Sequence, residues 1–135
     1  MFDKIPVTVY FDLLGKDFKY GGRGPNKFDC YGLAIEIYKR LGIELPEYES
    51  FADPEQIDLG MNDGRKNYLL EIPKPEVGCM VMFSIRPPYV SHMGVMLDSN
   101  KFIHIMHKSQ VSVERKDSLL WANKLAGFYR YSPHE

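Results

Sequence analysis

The feature that most constrains the fold is an order of elements. One well-capped helix over residues 29–42 stands ahead of a series of strand-like runs that begins after Gly78. Asp29 directly precedes an apolar-periodic run in which Leu33, Ala34, Ile37, Tyr38 and Leu41 recur at helical spacing, so Asp29 is the natural N-cap and Cys30 the first helical residue. The run ends where Gly42 supplies a left-handed cap. Lys39 and Arg40 fall in the last turn, beside the negative end of the helix dipole, and Pro46 lies beyond. Strands are expected near residues 79–84, 92–97, 101–107, 110–114 and 126–131, with a brief helix over 117–123 that carries Trp121. Helices first and an antiparallel sheet second imply an α+β fold.

Elsewhere the pattern is weaker. Residues 7–14 read as a short helix ended by Gly15, and a glycine-rich turn at 21–25 leads into the cysteine helix. Asp53-Pro54, Asn62-Asp63-Gly64 and Pro73-Lys74-Pro75 punctuate residues 47–74, which are expected to form one or two short helices and loops along a cleft wall. With 135 residues, 44% of them hydrophobic, and no internal repeat, the chain reads as a single domain over 1–135 with one core and one cleft.

The chemistry-bearing residues sit on this scaffold. At a helix start, the dipole and free backbone N–H groups favour thiolate over thiol, the same N–H groups can bind an oxyanion, and a nearby protonated histidine lowers the cysteine pKa further. Cys30 occupies such a place, and Gly32 two residues later is expected to clear the helix surface beside it. His92 and His104, twelve residues apart, fall on what reads as a β-hairpin turning at Asp98-Ser99-Asn100. His92, Gly94 and Met96 would share one face, with Gly94 leaving room by the imidazole, while Phe102, His104 and Met106 would share a face of the returning strand. A nucleophile, a base and an orienting group are therefore available. His107 competes for the third role, but a regular strand points it away from His104, toward the outer surface. Zinc on Cys30, His92 and His104 is the metal alternative; no CxxC or HxxxH pair and no evident fourth ligand accompany them, and no cofactor is expected. Cys79, beside Met80-Val81-Met82-Phe83, reads as core rather than as half of a disulfide.

These residues carry a family resemblance. Phe18-Lys19-Tyr20-Gly21-Gly22, then Asp29-Cys30-Tyr31-Gly32-Leu33 running on to Leu45-Pro46, resembles the tyrosine-Gly-Gly stretch and cysteine helix of the NlpC/P60 papain-like cysteine peptidases. Ser91-His92-Met93-Gly94-Val95 resembles that family's histidine-x-glycine strand, and Phe102-Ile103-His104 the strand bearing its third polar residue. The resemblance implies a peptidoglycan stem peptide or related peptide as substrate, with Cys30 as nucleophile, His92 as general base and then acid, and His104 orienting His92. It further implies that Tyr20 helps to bind substrate or oxyanion and that Asp29, already an N-cap, contacts a free amino group of the stem peptide. Two departures leave substrate preference open: Gly78-Cys79 stands where members commonly carry Gly-Asp, and Glu47 follows Pro46 where an arginine is frequent. Tyr31, where small residues are common, resembles tail-associated members of phages and prophages and would imply phage-tail partners. The rival readings are another acyl-transfer enzyme on the same constellation, such as an amidase, deamidase or acyltransferase, and a non-catalytic phage-tail assembly protein.

Composition excludes other classes. A net charge of −1 with basic and acidic residues interspersed argues against nucleic-acid binding. No run approaches the roughly 20 apolar residues of a membrane span, and residues 1–6 lack the apolar core of a signal peptide. The expected site of synthesis is the cytoplasm, with any access to a cell wall depending on lysis or on a phage particle.

Overall fold

In the computed structural model, which describes residues 4–48 and 53–132, two α-helices pack with a six-stranded antiparallel sheet. The cysteine helix, α1, spans Cys30–Arg40 and closes as its sequence predicts. Gly42 at φ 85° lets Ile43 N–H reach the Tyr38 carbonyl (2.8 Å) and Gly42 N–H the Lys39 carbonyl (3.0 Å), the paired bonds of a Schellman cap. Helix α2, Pro54–Asn67, is longer than the short helices and loops expected of this stretch. Its apolar stripe is thin, but Asp53 caps it by accepting the Glu55 N–H and Pro54 pre-sets its first turn.

Strands β3 (Leu69–Ile72), β4 (Met80–Phe83), β5 (His92–Met96), β6 (Lys101–His104), β7 (Ser112–Arg115) and β8 (Leu125–Tyr131) lie in the order β3-β8-β4-β5-β6-β7. A separate parallel pair, β1 (Asp17–Phe18) and β2 (Lys27–Phe28), flanks the start of α1. Neither this pair nor β3 was expected from the sequence. β4 and β5 are buried along their whole length because both faces of the sheet are covered. α1 lies over Met80, Met82, Met93, Val95 and Ile103, while Val81, Phe83, Met96 and Phe102 pack with Trp121 and Phe128 on the opposite face. A strand buried on both sides reads as a continuous apolar run, and this one does.

Three expected elements are shorter. Residues 7–14 form two 3₁₀ turns, Val7–Val9 and Phe11–Leu13, where β-branched residues lose χ1 freedom in a longer helix. Of 117–123 only the last two residues are helical, in a 3₁₀ turn over Ala122–Lys124. β6 ends at His104 rather than His107: Lys108 adopts φ 62°, Ser109 N–H returns to the Met106 carbonyl, and the Phe18 N–H takes the Ser109 carbonyl. These bonds draw the β6–β7 turn toward β1.

Candidate active site

Asp29 fastens the start of α1 to the glycine turn before it. Its Oδ1 accepts the Gly32 N–H at 2.6 Å and its Oδ2 the Gly21 N–H at 3.1 Å, while Arg23 pairs with Oδ1 at 2.8 Å and with Glu47 at 2.7 Å. Gly32 completes this clasp. A Cβ there would stand 1.9 Å from the Gly22 carbonyl oxygen, so the missing side chain admits the turn itself, not free space beside the thiol. The room foreseen at Gly94 is likewise taken, since a Cβ would meet the Ile103 carbonyl and the Phe102 ring at 2.9 Å.

Cys30 opens α1 and lines a cleft of about 320 Å³ together with Tyr20, Asp29, Tyr31, His92 and His107. Backbone N–H groups of Met93, Tyr31 and Cys30 itself turn toward the sulfur and favour its ionised form. Burial outweighs them, and with the nearby Asp29 charge the thiol is pushed up to about 12. Desolvation thus opposes the thiolate that the helix dipole favours.

Three neighbouring strands each place a polar group on one face. Val95 stands opposite Ile103 in the β5–β6 ladder, and Phe102 opposite Glu114 in the β6–β7 ladder; alternation therefore puts His92, His104 and Glu114 in a diagonal row. His92 (4% exposed) and His104 (2%) are buried, with His92 Nε2 2.8 Å from His104 Nδ1. His104 Nε2 meets Glu114 Oε2 in a short contact, and Glu114 Oε1 accepts the Trp121 indole N–H at 2.9 Å. Trp121 also stacks on His92 at 5.6 Å and meets His104 edge-on at 4.9 Å. Burial and the adjacent His104 hold His92 well below the usual histidine range, and burial lowers His104 against the opposing pull of Glu114. The two facing nitrogens bond one another rather than a common point, and among the described residues no three His, Cys, Asp or Glu side chains are arranged to hold a metal ion.

The remaining sequence candidates fall around the cleft. Tyr20 is 44% exposed, with its ring 5.0 Å from that of His107 and 4.9 Å from that of Phe18. His107, expected on the outer face, is exposed but lies at the cleft, because β6 stops before alternation can turn it away. Tyr31 donates its hydroxyl proton to the Pro46 carbonyl, stands 2.9 Å from the Tyr68 hydroxyl, and packs edge-on against Tyr48. With Ile57, Met61 and Ile85 these tyrosines make one side of the cleft apolar and aromatic. Cys79 is a buried free thiol, as read. Arg23, Glu114 and Trp121 were missed. Period-two spacing on the last hairpin strand was the available signal for Glu114, but it needs a register that the sequence does not show.

Residues 15–130 match the NlpC/P60 family. A probable endopeptidase NlpC homolog of Haemophilus influenzae is 29% identical over 123 residues, which is 90% of this chain and 59% of that protein. The probable peptidoglycan endopeptidase LytE of Bacillus subtilis is 25% identical over 121 residues, 88% of this chain and 31% of its own length. This chain thus spans less than two thirds of the length of either relative. The solved structure of NlpC1 from Trichomonas vaginalis superposes with a TM-score of 0.69 at 21% identity, covering 95% of this chain and 43% of that one, a likeness of fold. A six-stranded antiparallel sheet behind a cysteine helix, matched over nearly its whole length, places the chain in the NlpC/P60 family.

Proposed function

We propose that this protein is a cysteine peptidase that hydrolyses an amide bond in peptidoglycan stem peptides through an acyl-enzyme on Cys30. The observation that carries the reading is the shared cleft: Cys30 at the head of α1 and His92 at the head of β5 both line it. The endopeptidase names of the relatives support the substrate class. None of the relatives named above is a phage protein, and phage-tail partners form no part of the proposal.

His92 Nε2 is engaged by His104, which leaves Nδ1 as the base. With thiol and imidazole both neutral at rest, the sulfur attacks the carbonyl carbon while its proton passes to Nδ1, then onward to the departing amine nitrogen. Water, relieved of a proton by His92, next cleaves the thioester and the thiol is restored. First-turn N–H groups of α1 stabilise the oxyanion, and the Tyr20 hydroxyl and the Asp29 charge bind substrate from the cleft edge. The aromatic wall takes an apolar portion of the peptide.

Mass spectrometry of purified sacculi and defined stem peptides after digestion tests this. Hydrolysis is expected, lost in Cys30→Ser and after thiol alkylation but retained in strong chelator; a substrate-like electrophile should label Cys30 and spare Cys79. Intact substrates, chelator-sensitive turnover with stoichiometric zinc, or preferential labelling of Cys79 would each overturn the reading.

A further inference from the structure

Glu114 lies one strand beyond the two histidines and is the only member of the row that cannot donate as a carboxylate. Its two oxygens are divided: Oε2 meets His104 Nε2, and Oε1 takes the Trp121 Nε1–H, a group that can only donate. Both contacts have one possible direction. With both rings neutral, as burial favours, His104 carries its proton on Nε2 and offers Nδ1 as a lone pair, so His92 donates from Nε2 and its own Nδ1 is bare. If water replaced the carboxylate, it could donate to His104 Nε2 as readily as accept. His104 could then donate from Nδ1, and His92 would hold a proton on the nitrogen meant to receive the thiol's.

We propose that Glu114 is a positioning residue that, steadied by Trp121, sets the direction of the hydrogen-bond chain through His104 and so holds His92 in the tautomer able to accept the Cys30 proton. The inference rests on the peptidase reading for its consequence in turnover, though not for its geometry. Its energetic logic lies in the burial of both rings, where a ring nitrogen facing the wrong partner is costly.

Two-bond ¹H–¹⁵N correlation of the histidine rings at pH 8 reads each tautomer directly in the unmodified protein. Both His92 and His104 should be protonated on Nε2; a proton on His92 Nδ1 overturns the proposal without any variant. Glu114→Gln is near-isosteric, but its single carbonyl cannot accept from both Trp121 and His104, so one donor must face an NH₂. In that variant His92 should shift toward the Nδ1–H form, and kcat/KM should fall by about tenfold or more with KM little changed, short of the roughly 10⁴-fold that a wholly wrong tautomer can cost. Adding Trp121→Phe removes the competing donor, frees the amide oxygen for His104 and should restore both the tautomer and most of the lost rate relative to Trp121→Phe alone. Unaltered tautomers in Glu114→Gln, whatever its rate, sink the positioning role. The expected tautomers in a protein that cuts no stem peptide would sink the peptidase reading and leave the positioning standing.

Discussion

His92 Nε2 lies 2.8 Å from His104 Nδ1, so one proton joins the two rings and the tautomer of either dictates that of the other. Both rings are buried, and a partner removed from one leaves a polar nitrogen without water, at a cost of about 1–3 kcal/mol.

The first prediction follows from that bond. His104→Asn or His104→Gln keeps an oxygen for the His92 N–H and should retain substantial activity. His104→Ala keeps nothing there and should lose about 10²-fold or more in kcat, a typical share for general acid–base chemistry, with His92→Ala worse still. Steady-state kinetics beside thermal unfolding separate lost catalysis from lost fold. Full activity in His104→Ala with none in His107→Ala would give the third role to His107 instead.

A second prediction concerns pH. His92 and His104 both titrate below the ordinary 6.5, so the unfolded chain binds protons first and stability should decline as pH falls below about 6.5. Burial pushes Cys30 up to about 12 and Cys79 up to about 11, against 9.0 for a free thiol. The unfolded thiols ionise first on the alkaline side, and stability should decline again as pH rises past about 9, each group contributing at most about 1.4 kcal/mol per pH unit. Denaturant unfolding from pH 4 to 11 should therefore show a plateau between these limits, and Cys30→Ala should soften the alkaline limb. Iodoacetamide labelling of Cys30 should keep accelerating through pH 9; a rate already level below pH 7 would show a resting thiolate instead.

What was legible in the sequence was what depends on neighbours along the chain. The Asp29 cap, the helical spacing from Leu33 to Leu41 and the Gly42 stop act within a few residues, and α1 follows them closely. The β5–β6 hairpin and its histidines were legible because Asp98 accepts the N–H groups of Asn100 and Lys101, the local turn chemistry its residue type suggests. Glu114 and Trp121 were not, since their meeting with His104 depends on where β6 stops, and that is decided by bonds from Phe18 and Lys16 almost a hundred residues away. The high thiol pKa was hidden for a similar reason. Helix position is local, but the desolvation that raises Cys30 arises from packing around a cleft whose walls are distant in sequence.

The third prediction distinguishes the two duties assigned to Asp29. Asparagine caps an isolated helix about as well as aspartate, so capping alone predicts little change in Asp29→Asn. Here the second oxygen accepts the Gly21 N–H and the first also pairs with Arg23, so an amide must turn its NH₂ toward a donor. A loss of about 1–2 kcal/mol is expected in denaturant unfolding. Unchanged stability with a raised KM would instead make Asp29 chiefly a substrate contact.

The last prediction sets helix propensity against packing at Gly32. In the first turn of an exposed helix, Gly→Ala should stabilise by up to about 1 kcal/mol. At this position the new Cβ meets the Gly22 carbonyl at 1.9 Å, a backbone atom that no rotamer change can move aside. That carbonyl accepts the Asp29 N–H at 3.2 Å and an Arg23 N–H at 3.0 Å, so yielding would break two bonds of the clasp. Overpacking of this kind costs about 1–3 kcal/mol, enough to reverse the sign of the propensity gain. Gly32→Ala should therefore unfold at lower denaturant. Its surviving folded fraction should lose activity, because the displaced turn carries Tyr20 away from Cys30, and a shift of about 1 Å can cost 10²-fold in rate. Restoring space from the other side is not possible at Gly22, which is already side-chain-free, so no second-site substitution there should rescue the variant. A Gly32→Ala protein that is more stable and fully active would mean that the turn gives way freely and that the close approach of Gly22 to α1 is not what positions the site.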